Sequence, residues 1–164
     1  MSDDALARRV RAEFPLLGRS LGERPLVFLD AASTTPKPRA VLDAVRAYYE
    51  TCGANVHRGV HPLGELATRN DEVARLELAG WIGASPSEIV FVRGATEAIN
   101  LVAHGLGLGA DDEVIFPASE HHANFLPWRA RARPVLVPID DGGVPRWEEV
   151  AKLFSPRTKL LAFA

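Results

Sequence analysis

The sequence predicts an α/β fold, a mainly parallel sheet flanked by helices. Three observations carry this. From residue 88 onward, strand-length apolar runs alternate with helix-length stretches, in the order strand, helix, strand, helix, strand, helix, strand. That alternation calls for parallel strands covered by helices on both faces. The run EIVFV reads as a buried strand, and LLAFA is apolar on both faces, as a strand inside a parallel sheet must be. The composition, 47% hydrophobic and 24% charged over 164 residues, is that of a chain able to bury a real core.

The elements follow in order. Ser2 is placed to cap a first helix through about Phe14, with Asp3 and Asp4 on its positive end and Pro15 and Gly18 stopping it. Residues 26–29 (LVFL) read as a short strand. Residues 31–38 (AASTTPKP) form a loop stiffened by two prolines. Residues 39–50 make a helix with Val41, Leu42, Val45 and Tyr48 in phase, and 51–62 a loop holding Cys52, His57, Arg58 and His61. The longest helix spans 63–82, with a stripe of Leu66, Asn70, Val73, Ala74, Leu78 and Trp81, and Gly83 ends it. Then come a strand at 88–92, a turn at 93–96 and a helix from about Glu97 with Ile99, Val102, Ala103 and Leu106 inward. A strand at 113–116, a helix from about His122, a strand at 134–139, a turn at 140–143, a helix at 146–154 and a strand at 159–164 complete the series. The expected division is 1–62, a helix, a short strand and loops, and 63–164, the start of a larger domain.

Charge excludes some functions. Nineteen basic and 21 acidic residues leave 19 − 21 = −2, so nothing drives nucleic-acid binding, and the Arg129, Arg131, Arg133 run reads as a solvated face. No apolar run approaches the ~20 residues that span a bilayer. The opening MSDDALARRV is no secretory signal. The single cysteine, Cys52, permits no internal disulfide and suits a reducing, cytoplasmic setting; it reads as apolar filler rather than a reactive thiol.

Three places could carry chemistry. Gly94, Ala95 and Thr96 sit between a strand and a helix, where unpaired N–H groups, the helix dipole and a hydroxyl suit a phosphate; a plain turn with Thr96 as N-cap is the alternative. In the next such corner, His121 of EHHAN could stack on an aromatic cofactor or move a proton, or be a surface histidine. His57 and Arg58 lie in a loop suited to an anionic substrate group, or simply solvated. His57 and His61 are four apart, but Gly59 and Pro62 oppose a helix there and no glutamate lies between them, so no metal site is expected.

Taken together, FLDAASTTPKP, ANVHRGVHPL, EIVFVRGATEAINLVA and EHHANFLPW resemble the SUF-type cysteine desulfurases, class V aminotransferase-family enzymes that use pyridoxal 5′-phosphate (PLP) on a fold-type I scaffold. The resemblance runs from about Phe14 to Ala164 and covers roughly the first two-fifths of such an enzyme. It implies that Gly94, Ala95 and Thr96 hold the PLP phosphate and that His121 stacks on the pyridine ring and assists proton transfer. It implies that Ala31, Ala32 and Ser33 lie near the substrate and that His57 and Arg58 reach the active site across a homodimer interface. Ala95 replaces the first of two threonines common in the phosphate turn, and Ser33 stands where a second alanine is expected. The implied reaction turns cysteine into alanine and leaves persulfide sulfur for an acceptor protein. Selenocysteine lyase, another class V PLP reaction, and a non-catalytic assembly module pairing with a complementary C-terminal chain are the alternatives.

Of the 19 basic residues only Lys37, Lys152 and Lys159 are lysines, and none has the family's context for the covalent link to PLP. Arginine stays protonated and cannot substitute. The apolar ending LLAFA, without a covering helix after it, is expected to be completed by further polypeptide. The chain alone is therefore expected not to desulfurise cysteine. Borohydride treatment after incubation with PLP should leave no stoichiometric label on any of the three lysines; a peptide carrying it would overturn this expectation.

Overall fold

The computed structural model describes residues 3–32 and 34–164. The chain divides into two units, Met1–Ile89 and Val90–Ala164. The expected cap Ser2 lies outside the described residues.

The first unit opens with α1 (Asp3–Ala12), followed by a 3-10 turn at Pro15–Gly18. Two-residue strands β1 (Ser20–Leu21) and β2 (Arg24–Pro25) pair antiparallel around Gly22, whose φ of 62° suits a residue without a Cβ. The strand expected at 26–29 is not formed. After the Leu26 N–H reaches the Arg19 carbonyl at 2.9 Å, the ladder ends and Val27 and Leu29 are exposed. An apolar run becomes a strand only where a partner backbone lies beside it. The Arg11 guanidinium closes this region onto the Leu17 and Leu26 carbonyls, each at 2.6 Å.

α2 (Arg39–Thr51) and α3 (Pro62–Ile82) match the periodicity. The His61 Nδ1 accepts from the Gly64 N–H and Gly83, in the left-handed region, ends α3. The stripe read along α3 is not what it buries. Gly64, Ala67 and Ala79 are buried, while Leu66, Val73 and Trp81 are exposed, Trp81 at 86%. Small residues let neighbouring backbone approach, and the larger side chains find no cover. Pro86–Glu88 is a 3-10 turn closed by a capping box between Ser85 and Glu88; the strand expected at 88–92 does not form, since Glu88 belongs to that turn and 89–92 carry no regular structure.

The second unit holds α4 (Ala95–Gly105), β3 (Glu113–Pro117), a 3-10 turn at His122–Asn124, α5 (Leu126–Arg129), β4 (Arg133–Val137), a 3-10 helix at Trp147–Leu153 and β5 (Thr158–Leu161). The strands form a parallel sheet in the order β4-β3-β5. β3 is central and wholly buried. Val114 and Phe116 face Ala103, Trp128, Ala132 and Ala162, with the Phe116 and Phe125 rings edge to face at 5.1 Å. The Trp128 indole N–H is satisfied by Asn124 Oδ1 at 2.9 Å.

Three expectations shift here. The helix from His122 is broken in two, because Pro127 has no N–H to continue a helix begun earlier and instead sits in the first turn of a new one. The helix at 146–154 is a 3-10 helix with no side chain capping its start. The last strand, expected over 159–164, spans Thr158–Leu161 and lies beside β3 at one side of the sheet that the described residues form.

Glu113 locks the start of the sheet. Its side chain is 6% exposed and accepts from the Ser155 hydroxyl and from Arg157 at 3.0 Å, while its N–H donates to the Arg157 carbonyl at 2.9 Å. These contacts fix the register shift between Glu113 and Val114 on the β5 side. The Ser155 hydroxyl holds the Glu113 carboxyl below its ordinary 4.5, burial opposes this, and Arg157 adds to the lowering. A carboxyl whose pKa is lower folded than unfolded stabilises the fold at neutral pH, and that contribution fades as pH falls below about 4.5 through the folded pKa. Glu113→Gln should therefore lower stability at pH 7 and flatten the acid limb of stability against pH, measured by denaturant titration at a series of pH values.

Candidate functional site

The phosphate turn is built by the start of α4. Gly94 is its N-cap in extended backbone, and no side chain caps it. The first helical bond is Ala98 N–H to the Gly94 carbonyl at 3.1 Å, so the N–H groups of Ala95, Thr96 and Glu97 precede the ladder and are left for a ligand. Thr96 is not the N-cap; it lies two residues inside the helix, with its carbonyl accepting from Asn100 Nδ2 at 2.8 Å. The Glu97 carboxylate turns back onto Arg93, taking its backbone N–H at 2.7 Å and its guanidinium at 3.1 Å. These bonds hold the Glu97 carboxyl below its usual range. Paired charges leave the helix N-terminus as the net positive feature. An open recess of about 470 Å³ lies over it, lined by Arg93, Gly94, Thr96, Glu97 and Asn100.

The second corner lies beyond β3. The His121 Nδ1 accepts from the Ala123 N–H at 3.1 Å, so in the neutral ring the proton sits on Nε2. The ring is exposed, and its centroid lies 6.4 Å from that of His122. A recess of about 420 Å³ joins this corner to α4, with Thr96 and Asn100 on one side and His122 and Ala123 on the other. Thus Gly94, Ala95, Thr96 and His121 belong to neighbouring corners of one unit.

The remaining candidates lie in the other unit. Ala31 and Ala32 form an exposed turn, with the Thr35 hydroxyl on the Ala31 carbonyl at 3.3 Å; Ser33 lies outside the described residues. His57 adopts φ 60°, unusual for a residue with a Cβ. Its N–H donates to Thr68 Oγ1 at 2.9 Å, and its Nε2 lies 3.7 Å from Asp71. Arg58 is exposed with no ion pair among the described residues. Cys52 is 2% exposed, with Asn70 Nδ2 3.6 Å from its sulfur, an unsuitable place for an attacking thiolate. Among the described residues no cluster of three or more His, Cys, Asp or Glu could hold a metal, and no helix is long and apolar enough to cross a membrane.

Sequence reading missed Asn100, although its i+4 spacing from Thr96 on a helix signals it. It also missed the Gly59 and Gly64 pair. A Cβ on Gly64 would lie 2.6 Å from the Gly59 Cα, and one on Gly59 would lie 2.7 Å from the Gly64 Cα.

The model of the aminotransferase class-V family matches residues 27–164, and the chain belongs to that family. It is 47% identical over 162 residues to a probable cysteine desulfurase of Pseudomonas aeruginosa and 44% identical over 163 residues to a cysteine desulfurase of Klebsiella pneumoniae. Each alignment covers 94% of this chain and 40% of the relative. The apo structure of a cysteine desulfurase from Thermococcus onnurineus superposes with a TM-score of 0.82 at 33% identity, covering 94% of this chain and 38% of that one. The chain thus spans about two-fifths of the length of these relatives and corresponds to their N-terminal portion. The fold is accordingly the N-terminal part of a fold-type I PLP-dependent enzyme.

Gly64→Ala should push the 57–61 loop off α3 at a cost of roughly 1–3 kcal/mol. Faster proteolysis at Arg58 and a lower melting temperature would register this; unchanged values would show that the backbone contact is dispensable.

Proposed function

We propose that this chain supplies the phosphate cup and the ring-stacking histidine of a PLP-dependent cysteine desulfurase. The observation that carries the reading is the recess between the start of α4 and the turn that follows His121, lined by Thr96, Asn100, His122 and Ala123, beside the uncapped helix N-terminus. The residues present fit PLP. The N–H groups of Ala95 and Thr96 and the Thr96 hydroxyl can bind the phosphate, with Asn100 holding the Thr96 carbonyl and the turn in place. The exposed His121 ring can cover one face of the pyridine, and its Nε2 can hold or deliver a proton.

When bound, PLP supplies the electron sink for bond-breaking next to an amino group. The chain's own part is to bind and orient. Arg58, with no competing partner among the described residues, suits the carboxylate of an amino-acid substrate, and His57 and the turn of Ala31 and Ala32 belong to the same substrate wall. Cysteine goes to alanine and its sulfur passes as a persulfide to a cysteine thiolate outside these 164 residues, since Cys52 is sealed. The assembled enzyme is read as a cytoplasmic homodimer, with residues 63–164 opening its large domain. It acts as a lyase delivering sulfur to an acceptor protein for iron–sulfur cluster assembly.

A chimera in which this chain replaces the corresponding portion of a full-length cysteine desulfurase tests the proposal. It should form alanine from cysteine. His121→Ala should lower its kcat by about 10²-fold. Thr96→Ala should weaken PLP binding by about tenfold. A folded, PLP-loaded chimera that forms no alanine, or a His121→Ala variant with unchanged kcat, would refute it.

A further inference from the structure

Glu120 has a half-buried carboxylate with no ion pair among the described residues. Both of its oxygens are instead taken by backbone. Oε1 accepts from the His121 N–H at 2.8 Å, and Oε2 accepts from the Ala164 N–H at 3.0 Å, 44 residues along the chain. The Glu120 N–H is itself fixed on the Pro117 carbonyl at the end of β3, at 3.1 Å. The carboxylate thus joins the backbone of the histidine corner to the backbone that follows β5. Charge-assisted bonds of this kind are about twice as strong as neutral ones.

Among the described residues His121 has two other tethers of its own, the Ala123 N–H on Nδ1 and its carbonyl accepting from the Asn124 N–H at 2.8 Å. Both come from the same short 3-10 turn, so neither ties the histidine to the sheet. Glu120 does, through Ala164, two residues after Ala162, whose N–H is held on the Ile115 carbonyl of β3 at 2.9 Å. We infer that Glu120 is a positioning residue that sets His121 by bridging its backbone to the segment after β5. This rests on the reading of His121 as the cofactor-facing group.

A glutamine at position 120 keeps one acceptor, but its NH₂ cannot accept from an N–H, so one of the two bonds is lost; alanine loses both. The full 164-residue chain labelled with ¹⁵N-histidine gives five backbone amide signals to follow. Hydrogen exchange at the His121 amide should quicken by roughly tenfold in Glu120→Ala and by less in Glu120→Gln, with the other four histidine amides unchanged. In the chimera, the visible circular dichroism of bound PLP should weaken in the same order. Unchanged His121 exchange in either folded variant overturns the inference, whatever the PLP signal does. If the alanine variant does not fold, the glutamine variant alone decides. Faster exchange with an unaltered PLP signal upholds Glu120 as the holder of His121 and instead removes His121 from the cofactor.

Discussion

Parallel pairing of β3 with both β4 and β5 is the constraint on which the second unit depends. Parallel strands point one way, so the loops leaving them gather at one edge, and a helix crossing back between strands must start at that same edge. α4 leads into β3 and therefore runs against it, which brings its N-terminus beside the loop that leaves the other end of β3. The shared recess of Thr96, Asn100, His122 and Ala123 is the result. Its two walls come from segments that are separate in sequence, α4 and the stretch after β3. The buried face of Val114 and Phe116 against Ala103 and Trp128 holds that geometry, because apolar burial there is complete on the strand and specific in shape.

Two carboxylates fasten β5, an edge strand that would otherwise rest on one ladder. At its start, Glu113 takes the Ser155 hydroxyl and the Arg157 guanidinium. Past its end, Glu120 takes the Ala164 N–H. Glu113 opens β3 and Glu120 lies just beyond its end. The central strand thus carries its own fastenings for a neighbour more than 40 residues away. The two also differ in kind. Glu113 is sealed and paired with an arginine, whereas Glu120 is satisfied by backbone alone.

Much of this was legible in the sequence. Periodicity marked α2, α3 and α4, and the alternation after residue 88 marked a parallel sheet. The motif GAT before a helix and the EHHAN corner marked the recess, because helix starts and strand ends have local signatures. What was not legible depends on partners. LVFL and EIVFV have the composition of strands, but a strand is defined by the backbone next to it. Likewise the apolar stripe of α3 says which face can be buried, not whether anything covers it; the contacts made fall on Gly64 and Ala67. Pro127 was visible, but its effect depended on where the preceding turn placed Phe125 as the N-cap of α5.

The contact between Gly59 and Gly64 has a consequence at the level of the gene. Glycine is the only residue without a Cβ, so every missense codon at either position adds an atom where two Cα atoms already meet. The usual gradation from mild to severe substitutions is missing there, since alanine, the mildest change, already brings the forbidden atom. Change around His57 and Arg58 is physically cheaper elsewhere, as at the exposed Val60, than at either of these two glycines.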